Sequence, residues 1–247
     1  MASVLDISAE DEFMKNILFN KKSCYTGTAG EWKNFLGEWK KSISPDRVEY
    51  SITKNISLDH IEDVEDCMFH TERRLGILLP ESYKDFLRSI SINNAGGLMG
   101  DIFDFMGFIG CKDVGWMKNI DCDYFEILRN AAPMDFDVDD GEYFKYGTDF
   151  CFDNLNPRGE EFLLIIGKNS ASEYLLLNAE FCSSDGEFEA AYLTPSSIVR
   201  YPNFAEMMRQ FAAIDCSLVD NIGPASQISL NKIDWIGGKL ISDPWWR

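Results

Sequence analysis

The segment Glu72-Arg73-Arg74-Leu75-Gly76-Ile77-Leu78-Leu79-Pro80-Glu81-Ser82-Tyr83-Lys84-Asp85-Phe86-Leu87 decides the fold. Gly76 can take the left-handed conformation that ends a helix, and Pro80 suits the opening of another, so the segment reads as two helices joined by a tight turn. Upstream, Ile61, Val64, Met68 and Leu75 recur at helical spacing from Ser57 onward, which predicts an amphipathic helix closed by Gly76. Downstream, Tyr83, Phe86, Leu87 and Ile90 fall on one face of a second helix, expected from Pro80 to about Ile90. No residue type in the segment points to catalysis, so it specifies a scaffold.

Beyond this pair, Asn93-Asn94-Ala95-Gly96-Gly97 breaks the helical period, because clustered Asn and Gly favour turns. A strand-rich region is expected after it. Phe162 to Ile166, Tyr174 to Leu177 and Phe188 to Leu193 are short apolar runs separated by turn-forming residues, and they read as an antiparallel meander. Asn203-x-x-Glu206 resembles a capping box opening a last helix with Phe204, Met207, Met208 and Phe211 on one face. Helices, then strands, then a helix predict an α+β fold, a mainly antiparallel sheet packed against helices.

Three regions are expected. Residues 1–56 form a helical extension, in which Gly30-Glu31-Trp32-Lys33 recurs as Gly37-Glu38-Trp39-Lys40. That spacing puts Trp32, Phe35, Leu36, Trp39 and Ile43 on one face, which reads as a helix docked by its tryptophans onto the main body or, alternatively, gripping a partner. Residues 57–215 form the main domain. Residues 216–247 form a second extension, whose terminal Trp245 and Trp246 are costly to leave in water and are expected to dock on the domain or, alternatively, on another chain.

Of the 247 residues, 45% are hydrophobic, enough for a substantial core. Forty-one acids against 23 bases give a net charge of −18, which disfavours nucleic acids and anionic membranes as partners and favours a basic protein. The acidic first 19 residues lack signal-peptide character, no apolar run reaches bilayer length, and seven scattered cysteines without a CxxC pair read as reduced thiols. The expected location is cytoplasmic.

Candidate chemistry is sparse. His60 and His70 share no helical face and have no evident partner; Cys67 and His70 at i, i+3 supply two ligands where a closed zinc site needs four. Phosphate-binding, serine-hydrolase and zincin motifs do not occur. Asp135, Asp137 and Asp139 mimic the start of an EF-hand loop, but Asp140 stands where glycine is needed and Tyr146 where a bidentate glutamate is needed. Neither an enzyme nor a bound cofactor or metal is expected.

Charge is concentrated instead. Between Asp101 and Glu161 there are 15 acids and 5 bases, and the acids alternate with aromatics, as in Tyr124-Phe125-Glu126 and 135–144. That pattern suits half-buried strands and loops holding aromatics inward and carboxylates outward. It also suits a protein interface, in which carboxylates steer a basic partner and aromatics anchor it. The expected partner-binding residues are Asp101, Asp104, Trp116, Asp121, Asp123, Tyr124, Asp135, Asp137, Asp139, Asp140, Glu142 and Tyr143.

Glu72, Leu75, Gly76, Leu79, Pro80, Tyr83, Phe86 and Leu87 resemble the signature of the SUKH superfamily, the Smi/Knr-type domains. In that family a helix ending in Glu-x-x-Leu-Gly leads through x-x-Leu-Pro into x-x-Tyr-x-x-Phe-Leu. Glu173-Tyr174-Leu175-Leu176-Leu177-Asn178 is similar to the family's acid-led apolar strand, and Phe204 and Phe211 lie where its closing helix begins. The chain departs from the family where Asn94-Ala95-Gly96-Gly97 replaces an earlier Asn-Gly, and the acidic segment 113–153 is long. The resemblance implies a noncatalytic immunity protein that neutralises a cognate bacterial toxin, a basic and nuclease-type one on the charge argument. The alternative is a fungal-type regulatory scaffold mediating protein–protein interactions; the low-complexity flanks usual for such scaffolds do not occur here.

Overall fold

The computed structural model describes residues 25, 27–43, 56–57, 64–92, 107–131, 150–151, 160–169, 171–195, 197–215, 235–236 and 239–240. Helix α1 (Ala29–Ser42) starts at Thr28, whose hydroxyl oxygen accepts the Glu31 N–H at 3.3 Å and whose O–H donates to the Glu31 carboxylate at 2.9 Å. This satisfies donors that a helix start leaves open. Its buried residues are Trp32, Phe35, Leu36 and Trp39, the face its spacing predicts. Trp39 Nε1–H donates to Asp215 at 3.0 Å, tying the helix to the C-terminal end of the helix Phe204–Asp215.

The helix pair comprises α2 (Val64–Leu75) and α3 (Glu81–Ser89). Gly76 ends α2 at φ 74°, in the region where any side chain is strained, and its N–H returns to the Glu72 carbonyl at 2.8 Å. Pro80 is the residue before α3, one position outside the expected helix, and its carbonyl accepts the Tyr83 and Lys84 N–H groups at 3.1 and 3.0 Å. Glu72 locks the turn: one carboxylate oxygen accepts the Leu79 N–H at 2.9 Å and lies 3.7 Å from Lys84 Nζ.

Strands β1 (Ile56–Ser57) and β2 (Ser91–Ile92) form a small antiparallel ribbon flanking this pair. The main sheet is wholly antiparallel and contains β3 (Gly107–Phe108), β4 (Gly115–Trp116), β5 (Phe150–Cys151), β6 (Leu163–Lys168), β7 (Tyr174–Cys182), β8 (Phe188–Thr194) and β9 (Ser197–Tyr201). Its order is β3-β6-β7-β8-β9-β5, with β4 also on the free edge of β6. The expected meander is therefore present, extended by a fourth strand. Residues Glu160–Phe162 form a 3-10 turn, so the first meander strand begins at Leu163, not Phe162. A Cβ on Gly167 would stand 2.8 Å from Leu175 Cδ1 and 2.9 Å from the Gly107 carbonyl oxygen, so glycine is required where three strands crowd together.

One expectation needs correction. Tyr124-Phe125-Glu126 lies in a helix and not in a strand or loop, within α5 (Cys122–Ala131), which follows the single turn α4 (Met117–Ile120). Alternation over three residues cannot define a period of two, whereas Phe125 and Leu128, both buried, sit at helical spacing.

Helix α6 (Phe204–Asp215) packs on β8 and β9. Asn203 caps it as expected, its Oδ1 accepting the Glu206 N–H at 2.8 Å. It was expected to bury one face, yet all residues from Phe204 to Ala212 are buried, polar ones included. Glu206 makes this possible by accepting both arms of a fork from Arg209, the Nε arm at 2.8 Å, and a bond from Gln210 at 3.0 Å. In the sheet, Arg200 pairs with Glu189 at 2.8 Å with both side chains 1% exposed, and Asn178 donates to the same glutamate at 3.2 Å. A last hairpin, β10 (Trp235–Ile236) with β11 (Lys239–Leu240), lies against α1 and α6. Trp245 and Trp246 lie outside the described residues. Among the described residues no helix is long and apolar enough to cross a membrane.

Two stability changes of opposite sign follow. Arg200→Ala strands the Glu189 charge in the interior and is expected to cost about 3–5 kcal/mol in urea unfolding. Tyr83 is fully buried and its hydroxyl makes no hydrogen bond, so Tyr83→Phe is expected to raise stability by about 1 kcal/mol.

Candidate partner-binding surface

Four of the twelve expected partner-binding residues lie among the described residues. Trp116, on β4, is half-buried and meets Phe162 edge-on with ring centroids 6.3 Å apart. Asp121, between α4 and α5, accepts the Tyr124 N–H at 3.1 Å and the Tyr174 hydroxyl at 2.5 Å. It serves as the cap of α5 and as an anchor onto β7, so both its oxygens are committed inside the molecule. Tyr124 stacks obliquely on Tyr174 at 5.2 Å and donates weakly to the Thr194 carbonyl at 3.4 Å. Burial, with Asp121 adding to it, pushes the Tyr124 hydroxyl above the ordinary tyrosine range, and Tyr174 shifts the same way for the same two reasons. Asp123 projects from the first turn of α5 and is exposed. Asp101, Asp104, Asp135, Asp137, Asp139, Asp140, Glu142 and Tyr143 lie outside the described residues.

The structure adds two residues that the sequence reading missed. Ile127 is 57% exposed on α5 and Phe162 is 48% exposed on the 3-10 turn that packs against that helix. Around them stand Asp123, Glu126 and Glu161, all exposed. Glu126 lies 3.9 Å from Arg129 and Glu161 lies 3.7 Å from Lys118, distances at which exposed pairs hold little energy and exchange partners readily. The resulting surface combines apolar anchors with carboxylates free to meet a cation. Ile127 was legible in principle, since it stands about 160° around the helix from the buried Phe125, but treating the segment as a strand hid it.

A second polar cluster is structural. Tyr25 donates its N–H to Asp185 at 2.9 Å and its hydroxyl to Asp85 at 3.1 Å, while accepting Trp32 Nε1–H at 2.7 Å. Arg88 gathers Glu65, Glu81 and Asp85 at 2.7, 2.7 and 3.0 Å, and its hydrogen bond holds the Glu65 carboxyl below the usual range. Ser82 gives both its N–H, at 2.9 Å, and its hydroxyl to Glu187. Burial nevertheless pushes Glu187 up to about 7, against the Ser82 donors, and also raises Asp85. Among the described residues, no group of three His, Cys, Asp or Glu side chains is arranged to hold a metal ion.

No protein-family model, curated protein or solved structure matches the chain.

Folded Glu187 keeps its proton up to about 7, against 4.5 for a free glutamate, so the folded state binds more protons between those values. Stability is therefore expected to rise as the pH falls from about 8 toward 5, and to lose this contribution, on the order of 3 kcal/mol, as the pH rises through 7. Glu187→Gln keeps an acceptor for Ser82 without a charge to bury. In urea unfolding at both pH values it is expected to be the more stable protein at pH 8 and to show the flatter pH dependence.

Proposed function

We propose that this chain is a noncatalytic binding protein of the Smi/Knr (SUKH) type that acts as an immunity protein, neutralising a cognate, basic toxin by direct contact. The observation that carries the reading is the exposed Ile127 and Phe162 set among Asp123, Glu126 and Glu161. Carboxylates on such a surface accelerate encounter with a basic partner, and apolar side chains at its centre supply energy once water is excluded. The helix pair closed by Gly76 and Glu72 supports the Smi/Knr assignment through the same residues that carry the resemblance. A basic nuclease-type enzyme fits as the partner because the chain's charge of −18 repels phosphates and attracts the cleft that binds them.

Expression of the toxin encoded beside this chain is expected to stop growth, and co-expression of the chain to restore it. Ile127→Asp is expected to weaken the complex by about 2 kcal/mol or more and abolish rescue, with the unfolding transition unchanged. Association is expected to slow by about tenfold from low to physiological salt, because exposed charges are screened within about 8–10 Å. Absence of rescue together with absence of a complex on size exclusion refutes the proposal.

A further inference from the structure

Two thiols far apart in the chain are brought together where α2 meets the 3-10 turn Cys111–Asp113. Cys67 and Thr71 stand one turn apart on the same side of α2. Thr71 donates its hydroxyl to the Cys111 carbonyl at 3.0 Å, and Cys111 Sγ lies 3.8 Å from the Thr71 oxygen. These contacts hold Cys111 against the side of α2 from which Cys67, one turn before Thr71, also projects. Access differs between the two: Cys67 is half-buried and Cys111 buried.

We propose that Cys67 and Cys111 are a modification site, forming a disulfide when the protein meets a low-molecular-weight disulfide such as oxidised glutathione. Cys67, the accessible thiol, reacts first. Its proton passes to water, its sulfur bonds to one sulfur of the oxidant, and the oxidant's S–S bond breaks to release one glutathione thiolate. Cys111 Sγ then bonds to Cys67 Sγ, the mixed S–S bond breaks, and the second glutathione leaves carrying the Cys111 proton. The protein loses two electrons and two hydrogens, and the oxidant gains both. Burial pushes the Cys111 thiol up to about 12, so Cys67 makes the first attack and Cys111 serves as the resolving thiol, acting only once the mixed disulfide is held against it. The finished bond ties α2 to the edge of the main sheet and shortens the loop open to the unfolded chain. The site is independent of the binding surface on α5 and of its partner's identity.

Treatment of the full chain with oxidised glutathione, followed by non-reducing peptide mapping, is expected to yield a peptide joining residues 67 and 111. Thermal unfolding of the treated protein is expected to shift upward by roughly 5 °C, and the shift to vanish on reduction. Cys67→Ser and Cys111→Ser are each expected to abolish both effects, and either one suffices if the other fails to fold. Cys122→Ser, which removes an exposed thiol elsewhere, is expected to preserve them. A stable glutathione adduct on Cys67 without the cross-link overturns the proposal, as does modification of Cys122 while Cys67 and Cys111 remain free.

Discussion

Five rings hold the described fold together. Phe204, at the start of α6, lies 5.1 Å from Tyr83, 5.1 Å from Phe86, 5.6 Å from Trp32 and 6.1 Å from Phe108. Phe86 in turn meets Trp32 at 5.5 Å and Phe108 at 4.8 Å. Through these contacts α1, the helix pair, the edge of the sheet and α6 share one centre. The contributions are large because each ring is buried, and edge-on contacts add about 0.5–1.5 kcal/mol per pair beyond the area hidden from water. The turn at Gly76 to Pro80 matters because it aims Tyr83 and Phe86 at that centre.

Packing this dense leaves polar side chains inside, and the chain handles them in pairs. Glu206 with Arg209 allows α6 to be buried on every side, and Glu189 with Arg200 places a charge pair between neighbouring strands. Such pairs add little net stability compared with well-packed apolar residues, but each member makes the other costly to remove. Glu187 differs, because its partners are the Ser82 donors and its shift to about 7 registers incomplete compensation for burial. The clamp around Tyr25 and Asp85 that fastens α1 therefore sits beside a carboxylate whose charge changes near neutrality.

The contrast between committed and available carboxylates matters for function. Asp121 looked from sequence like one more member of an acidic surface, yet both its oxygens serve the fold. Asp123, two residues on, faces solvent beside an exposed isoleucine. An acidic segment is thus divided by geometry into carboxylates that position a helix and carboxylates that can meet a partner, a division invisible in composition.

Much of the scaffold was legible in local chemistry. Gly76, Pro80, the Asn203 cap, the tryptophan face of α1 and the meander of apolar runs each follow from turn preference or periodicity acting within a few residues. What stayed hidden depended on residues distant in the chain. The commitment of Asp121 to the fold needed the Tyr174 hydroxyl from β7, and the meeting of Cys67 with Cys111 needed α2 to pack on a distant turn. Sequence by itself determined the helix pair, the tryptophan-faced helix, the three-strand meander and the Asn203-capped helix, because those choices rest on backbone conformation and neighbouring side chains. Tertiary structure alone decided which carboxylates, thiols and apolar side chains remain available, because availability is what is left after long-range packing has claimed its share.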